Sequence, residues 1–294
     1  MQPFTLHKRP PRRSNPMNPG QIEWMRADDG TRLALHHWAS SDARAVVFYI
    51  HGIQSHAGWL FETGPELAKR GVALFALDRR GSGKSDGPRG HVPSLDQLMT
   101  DYLNGVETVL KKMPHLPTTL VGQSFGGSVL AGLCATGRLR ADRLVFCAPA
   151  LGQQRRRHSL DTLEILRNRS GTSRSRVPLK DEDYTDDSAC LDFMAADQLA
   201  LREITEATKS TMVRLEDMYA QAGITIDIPT FFATPERDRI IDLVIAREWL
   251  LRLAGRFEET TFATDCHYIE FGGARRAYWD WLAACAIRGE GVAP

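Results

Sequence analysis

One strand-turn-helix segment, residues 118–136, constrains this 294-residue chain more than any other. Residues 118–121, TTLV, are β-branched or apolar, which is typical of a buried strand. Residues 122–127 follow with the pattern G-x-S-x-G centred on Ser124, and a run of small residues with helical character comes next. A serine at so sharp a turn needs glycine two positions before and after it, because a Cβ atom there would collide. The segment therefore predicts a nucleophilic serine at the end of a buried strand.

The pattern alone is a weak signal, because the chain contains 24 glycines and a Ser/Gly-rich turn could close an ordinary αβ unit. A catalytic serine at such a turn requires three more features. These are a turn upstream that stabilises an oxyanion, an acid after a later strand and a histidine after the last strand. The rest of the chain can be searched for each of them.

Composition excludes several other classes of protein. The formal net charge is +1, so there is no global attraction to nucleic acid or an anionic membrane. No apolar run reaches the length of a membrane span, and the N-terminus has no secretory signal pattern. Five widely spaced cysteines without a C-x-x-C pair favour reduced thiols, and neither a zinc site nor a cofactor is indicated. The prediction is a cytoplasmic globular protein.

Apolar runs alternating with helical patterns predict an α/β fold with a mostly parallel sheet. The expected strands are residues 22–25, 33–38, 45–50, 72–77, 118–121, 144–148, 228–234 and 259–263, and the expected helices begin near residues 59, 95, 128 and 274. The loop of residues 78–87 contains Gly-Lys-Ser, but Asp78 replaces the first glycine of a phosphate-binding P-loop. That loop is better interpreted as structural, with its arginines bracing neighbouring loops.

Four segments follow from the changes in pattern along the chain. Residues 1–20 are rich in proline and basic side chains, which favours a disordered or loosely docked arm. Residues 21–151 and 227–294 carry the alternating strands and helices. Residues 152–226 between them are helical and polar, and an insertion at this point would form a cap over Ser124. Their apolar positions suit either an acyl tunnel or the small core of the cap.

The first part of the predicted cap is basic, with Arg155, Arg156, Arg157, His158, Arg167, Arg169, Arg174 and Arg176. A solvated, flexible face is the simpler explanation of these charges. The alternative is a docking patch for phosphate on a lipid headgroup, coenzyme A or the phosphopantetheine arm of an acyl-carrier protein.

The order of motifs resembles the α/β-hydrolase superfamily. The motifs are His51-Gly52, the loop of residues 78–87, the serine turn and the sequence CAPA at residues 147–150. Within the superfamily the chain is most similar to the monoacylglycerol lipase and lysophospholipase branch, known as serine aminopeptidase-like hydrolases, over about residues 21–288. Gln123 and Phe125 depart from the His and Met common there, and we expect both side chains near the acyl pocket without contact to the triad.

The resemblance implies a mechanism and the residues that perform it. Ser124 would be the nucleophile, His267 the base and Asp238 the acid, in the chain order of this superfamily. Glu236 is the runner-up for the acid, Asp227 precedes the strand, and Asp242 is expected to open a helix. The oxyanion would be held by the backbone amides of Ile53 and Phe125.

Two functions of this site are considered. The first is hydrolysis of a carboxylic ester similar to a monoacylglycerol or lysophospholipid. The second is acyl transfer or thioester hydrolysis with a carrier protein or coenzyme A, which the basic cap favours slightly. Peptidase activity has no support from particular residues, and a non-catalytic binding protein is disfavoured because all three triad residue types occupy the expected loops.

Overall fold

The computed structural model of the protein describes residues 20–39, 41–221 and 223–288. The predicted N-terminal arm lies outside these residues except for Gly20. The strands are β1 (Gln21–Arg26), β2 (Arg32–Trp38), β3 (Ala45–Ile50), β4 (Val72–Leu77), β5 (Thr118–Gln123), β6 (Arg143–Cys147), β7 (Arg174–Arg176), β8 (Glu203–Thr205), β9 (Thr230–Pro235) and β10 (Glu258–Phe262). The α-helices are α1 (Thr63–Lys69), α2 (Leu95–Lys112), α3 (Phe125–Ala135), α4 (Gln153–Arg157), α5 (Leu160–Arg167), α6 (Ser188–Ala196), α7 (Glu206–Tyr219), α8 (Leu243–Ala254) and α9 (Arg275–Arg288).

The predicted mostly parallel sheet is confirmed. Its strand order is β1-β2-β4-β3-β5-β6-β9-β10, and only β2 runs antiparallel to both of its neighbours. The carboxyl ends of β3, β5, β6 and β9 therefore meet at one edge, where a binding site of an open α/β sheet is expected.

The core lies on both faces of this sheet because side chains alternate along each strand. In β3, Phe48 packs on the face covered by α2, α3 and α8, whereas Val47 and Tyr49 pack on the face covered by α1 and α9. Every residue of β3 is buried, as its continuous apolar sequence predicts.

Two local predictions need correction. The helix expected from residue 59 is a 3₁₀ turn (Ala57–Leu60) followed by the separate helix α1. Pro65 lies in the first turn of α1, where its missing N–H has no intrahelical partner to lose. The segment of residues 152–226 was expected to be helical, but it also contains the antiparallel ribbon of β7 and β8. Each of these strands has three residues, which is too short to produce a recognisable alternation.

Several apolar side chains of residues 152–226 pack into the main core, whereas Leu160 and Ile165 are exposed. Met194, Ile204 and Leu215 belong to the cluster that covers α2 and α3, and α7 packs directly on α3. For these three residues the expected separate small core of the cap is replaced by the core of the sheet. Across the residues with described positions, no helix is long and apolar enough to cross a membrane.

Candidate active site

The turn at Ser124 has the strained geometry that its sequence predicts. Ser124 has φ 54° and ψ −120°, and it joins the end of β5 to the first residue of α3. A Cβ atom on Gly126 would lie 1.9 Å from the carbonyl oxygen of Ile50, and one on Gly122 would lie 2.6 Å from the Gly126 carbonyl oxygen. Only glycine fits at these two positions. Ser124 itself has a positive φ, and a non-glycine residue in such a backbone conformation costs on the order of 1–3 kcal/mol. The surrounding structure holds this strain at the sheet edge.

Asp238 and His267 come together as a hydrogen-bonded pair. The Nδ1 atom of His267 lies 2.7 Å from Oδ2 of Asp238, and both side chains are fully buried. The other carboxylate oxygen, Oδ1, accepts hydrogen bonds from the amides of Ile240 (2.8 Å) and Ile241 (2.9 Å). Burial alone would raise the pKa of Asp238, but the imidazole and the two amides outweigh it, so the pKa is lowered. Asp238 is therefore a carboxylate that fixes the imidazole.

The second ring nitrogen of His267 faces the interior. Within the described parts of the chain, this Nε2 atom is buried and has no hydrogen-bond partner, so a bond from the Ser124 hydroxyl is not formed in this structure. Hydrogen bonds between a catalytic serine and histidine are often long without substrate. The backbone of His267 is nevertheless fixed beside the serine turn, because Gln123 donates a hydrogen bond to its carbonyl oxygen at 3.0 Å.

The other predicted acids lie elsewhere. Asp227 precedes β9 and is therefore at the opposite end of that strand from Asp238. Asp242 is the N-cap of α8, as predicted, and accepts a hydrogen bond from the amide of Ile245 at 3.2 Å. Glu236 is exposed, and among the described residues His267 contacts Asp238 rather than Glu236.

The loop after β3 is held by a buried arginine. Arg79 donates hydrogen bonds to the carbonyl oxygens of Gly52 (3.1 Å) and Ile53 (2.8 Å). Its guanidinium also lies 5.3 Å from the centre of the Phe125 ring. Arg79 thus contacts both residues that were predicted to hold an oxyanion. The predicted bracing role of the arginines after β4 is confirmed at this position.

His51 supports the same loop. Its Nε2 atom accepts the backbone N–H of Arg79 at 3.0 Å, so Nδ1 carries the proton and donates to the Gly52 carbonyl oxygen at 2.9 Å. Burial and the charge of Arg79 lower the pKa of His51 to about 3, and the ring is therefore neutral at physiological pH. Both carbonyl oxygens of this turn are thus engaged by side-chain donors, that of Gly52 by His51 and Arg79 and that of Ile53 by Arg79.

An aromatic cover lies over the imidazole. Tyr184, in the segment between β6 and β9, packs edge-on against His267 with ring centres 5.7 Å apart. Its hydroxyl donates to the side-chain oxygen of Gln54 at 2.8 Å. Arg239, next to the triad acid, binds Asp186 through two hydrogen bonds of 2.8 and 2.7 Å. The loop that carries Asp238 therefore also anchors the segment that covers His267.

Several of these residues were missed or misplaced by the sequence reasoning. Gln123 was expected beside the acyl pocket without contact to the triad, but its side chain is buried and binds the His267 backbone. Phe125 lies under Arg79. The only sequence signal for Gln123 was its position before the serine. Tyr184 gave no signal, because its contacts join it to residues far away in the chain: Gln54 is 130 positions before it, and His267 lies beyond β9 and β10.

The basic stretch is mostly neutralised. Five of its side chains have partners: Arg155 with Glu216 and Asp217, Arg156 with Asp242, Arg157 with the carbonyl oxygen of Ile240, Arg167 with Asp217, and Arg169 with Glu206. Four of these five arginines, all but Arg167, are exposed, so the expected solvated face is present, and most of its cations have acidic partners. Arg174 and Arg176 lie on β7, apart from this network.

A buried carboxyl group lies close to the site. Glu270 accepts a hydrogen bond from the Tyr49 hydroxyl at 2.8 Å, and its second oxygen, Oε2, has no partner among the residues the structure describes. Burial raises the pKa of Glu270, and the Tyr49 bond and the charge of His267 only partly oppose this. Glu270 therefore keeps its proton to a higher pH in the folded protein than in the unfolded chain.

Glu270→Gln is expected to stabilise the protein at neutral pH. Below the ordinary carboxyl pKa, Glu270 is protonated in both the folded and unfolded states, and the variant has no advantage. As pH rises from the unfolded pKa through the raised folded pKa, the unfolded chain releases its proton more readily than the folded protein does. The free energy of unfolding of the wild type therefore falls over this range, whereas that of the variant does not. We expect an advantage of about 1–3 kcal/mol at pH 7. Thermal unfolding from pH 4 to pH 8 measures it, with the exposed Glu248→Gln as a control that stays flat; an unfolding temperature of Glu270→Gln below wild type at pH 7 contradicts it.

Comparison with solved structures identifies the class of fold. A soluble variant of monoglyceride lipase from Saccharomyces cerevisiae has a TM-score of 0.78 to this chain, over 99% of this chain and 98% of that one, at 15% identity. A monoacylglycerol lipase from Paleococcus ferrophilus has a TM-score of 0.72, over 86% and 98% of the two chains, at 19% identity. The sheet order and the strained serine turn agree with this likeness, and the predicted α/β-hydrolase fold is confirmed.

Sequence comparison identifies the family within this class. A sequence model of the family described as serine aminopeptidase, S33, matches residues 41–265, and the chain belongs to this family of α/β-hydrolases. It is also 30% identical to a monoacylglycerol lipase of Mycolicibacterium smegmatis over 123 residues, which are 42% of this chain and 44% of that protein. A monoglyceride lipase of Rattus norvegicus is 34% identical over 102 residues, or 34% of each chain. These matches span less than half of either relative.

Proposed function

We propose that the protein is a serine hydrolase that cleaves a carboxylic ester of glycerol, either a monoacylglycerol or a lysophospholipid. The observation that carries the proposal is the buried Asp238–His267 pair, which is tied by Gln123 to the strained turn at Ser124. The monoacylglycerol lipases among the similar proteins support a glycerol ester as the substrate.

The mechanism follows from the positions of these groups. The Ser124 hydroxyl attacks the ester carbonyl while Nε2 of His267 takes its proton, and Asp238 stabilises the resulting imidazolium. The amides of Ile53 and Phe125 hold the oxyanion, each worth about 3 kcal/mol in related sites. His267 then returns the proton to the leaving alcohol. Water attacks the acyl-serine with His267 again as the base, and the fatty acid and free serine are formed.

We further infer that residues 152–226 act as a cap. Tyr184 covers His267, and Ser124 is only 7% exposed, so substrate must enter by displacement of this segment. A closed cover also excludes water, which strengthens the electrostatic contacts inside the site. Arg239 and Asp186 would hold the closed position.

Acyl transfer from a carrier is the weaker candidate. The sequence feature that favoured acyl transfer was the basic stretch of the cap. Five side chains of that stretch already bind acidic groups or a carbonyl oxygen. A carrier would have to break these pairs in order to dock. We therefore propose hydrolysis and retain carrier thioesters only as a comparison in the assay.

A substrate panel tests the proposal. We expect the 294-residue chain to release fatty acid from monoacylglycerols or lysophospholipids with a kcat/KM at least about 10-fold above that for acyl-carrier protein or coenzyme A thioesters, which corresponds to about 1.4 kcal/mol. A fluorophosphonate probe should label Ser124, located by mass spectrometry of the digested protein. Labelling of Ser124 with turnover of thioesters only would support transfer, whereas no labelling would contradict a catalytic serine.

A further inference from the structure

An arginine-lined cleft lies beside the proposed active site. A hollow of about 390 Å³ is lined by one carboxylate, Glu203, and by four arginines. The arginines are Arg89, Arg174, Arg176 and Arg202. A second hollow of about 360 Å³ shares Arg176 and Arg202 with it and reaches Gln54. Small-molecule sites typically have volumes of this order, roughly 300–1,000 Å³. We call the two hollows together the arginine cleft.

The ribbon of β7 and β8 places two of these arginines on one side. Arg174 and Arg176 are two residues apart on β7, so their side chains project to the same face. Opposite them on β8 are Thr205 and Glu203. Thr205 binds the loop between β4 and α2, because its amide donates to the Gly90 carbonyl oxygen at 3.1 Å. This contact brings the ribbon against Arg89.

The other two arginines, Arg89 and Arg202, differ in whether an acidic group neutralises their charge. Arg89 donates only to backbone carbonyl oxygens, those of Gly83 and Leu199. Arg202 binds Asp181, which neutralises it in part. Among the residues described by the structure, Arg174 and Arg176 form no ion pair. The cleft therefore holds more positive than negative charge.

The pKa values agree with this concentration of charge. Burial lowers the pKa of Arg89, and the charge of Arg174 lowers it further against the opposing effect of Asp78 and Asp197. The pKa of His91 is lowered by burial and then by Arg174 and Arg80. Cations held this close together repel one another, and an anion between them relieves the repulsion.

The cleft also adjoins the turn that carries the proposed oxyanion donor. The amide of Leu201, which lines the first hollow, donates to the backbone carbonyl oxygen of Gln54 at 2.8 Å. Gln54 directly follows Ile53 in the chain, and one residue spans at most about 4 Å. The side chain of Gln54 is buried, and its Nε2 atom has no hydrogen-bond partner in the described part of the protein. A donor is thus available where the second hollow meets the active-site loop.

We propose that the arginine cleft binds the phosphate group of a small ligand. Guanidinium groups bind phosphate oxygens through paired, charge-assisted hydrogen bonds, and a dianion gains more from several fixed cations than a carboxylate does. The phosphate belongs either to the headgroup of an ester substrate or to a separate small phosphate compound. The first source rests on the proposed function, whereas binding itself does not.

The binding test uses inorganic phosphate and glycerol 3-phosphate as probes. We expect both to raise the unfolding temperature of the wild-type chain and to bind saturably by calorimetry, at low ionic strength and against matched chloride. The double variant Arg174→Gln/Arg176→Gln should lose affinity by at least about 10-fold, since hydrogen bonds to charged groups are worth about 1.5–3 kcal/mol. Arg138→Gln/Arg140→Gln removes the same charge from another exposed surface and should bind like wild type. Absence of saturable binding, or equal loss in both double variants, overturns the proposal.

The second arm distinguishes the two sources. The kcat/KM for an acylglycerol 3-phosphate is divided by that for the monoacylglycerol with the same acyl chain. A fall in this ratio of about 10-fold in Arg174→Gln/Arg176→Gln, with the neutral ester unaffected, identifies the substrate headgroup. An unchanged ratio, together with lost binding of glycerol 3-phosphate, identifies a separate ligand. If no ester is hydrolysed, the proposed function fails while the binding result still decides the phosphate site.

Discussion

Replacing Asp238 with asparagine is expected to lower kcat for ester hydrolysis by about 10⁴-fold, while the protein stays folded. The reason lies in how the carboxylate is held. Oδ1 accepts two backbone amides, from Ile240 and Ile241, and this oxygen has to remain an acceptor in the variant. The amide nitrogen of the new side chain is then directed at Nδ1 of His267. Nδ1 must accept the hydrogen bond from the asparagine amide, so the ring proton moves to Nε2. His267 can then no longer take the proton of Ser124.

The matched control is Glu236→Gln, at the acid that sequence reasoning ranked second. Glu236 is exposed at the end of the same strand, so its change should leave kcat within about 2-fold of wild type, as surface substitutions usually do. Steady-state kinetics on a monoacylglycerol measures both variants, and circular dichroism checks their folding. If Glu236→Gln loses activity and Asp238→Asn keeps it, the assignment of the acid is wrong.

The proposed catalytic residues are each marked in the sequence by a local pattern. Ser124 lies within five residues that must contain two glycines, and His267 follows the last strand. Asp238 and Glu236 lie in one loop, and the sequence could only rank them. The contact with His267 favours Asp238, and this contact depends on the course of the loop after β9.

The supporting contacts could not be predicted, because they join segments far apart in the chain. Gln123 binds the carbonyl oxygen of a residue 144 positions away, and Tyr184 binds a side chain 130 positions away. No periodicity in the sequence encodes such pairs. The basic stretch shows the same limit, since only the fold separates its ion-paired arginines from those of the arginine cleft.

The oxyanion turn illustrates the difference between a site and its support. The resemblance placed Ile53 and Phe125 at the site, but it did not show what holds their amides in position. Arg79 contacts two carbonyl oxygens of the turn on one side and the Phe125 ring on the other. We propose that Arg79 is a positioning residue, whose effect on the reaction passes through the geometry of the two amides.

Arg79→Gln is expected to lower kcat by about 10²-fold or more, which is the typical cost of one lost oxyanion donor. Glutamine cannot reach both carbonyl oxygens, so the Gly52 carbonyl oxygen keeps only the bond from His51 and the Ile53 carbonyl oxygen loses the bond from Arg79. The turn is then held less firmly, and the Ile53 amide can leave the position of the developing charge. Because the oxyanion exists only in the transition state, kcat and kcat/KM should fall together and KM should change little. The variant also loses stability, since the buried carbonyl oxygen of Ile53 loses a charged donor.

Arg80→Gln separates this effect from a loss of stability. Arg80 is also buried, but it binds Asp101, Asp29 and Thr31, away from the oxyanion turn. Removing one partner of such a pair costs about 3–5 kcal/mol, so Arg80→Gln should be at least as destabilised as Arg79→Gln. Measured well below both unfolding temperatures, Arg80→Gln should keep a kcat near wild type. Equal losses of kcat in the two variants would contradict the positioning role. The side-chain bonds described for Arg80 do not reach the oxyanion turn, so an equal loss would mean that Arg79 also acts only through stability.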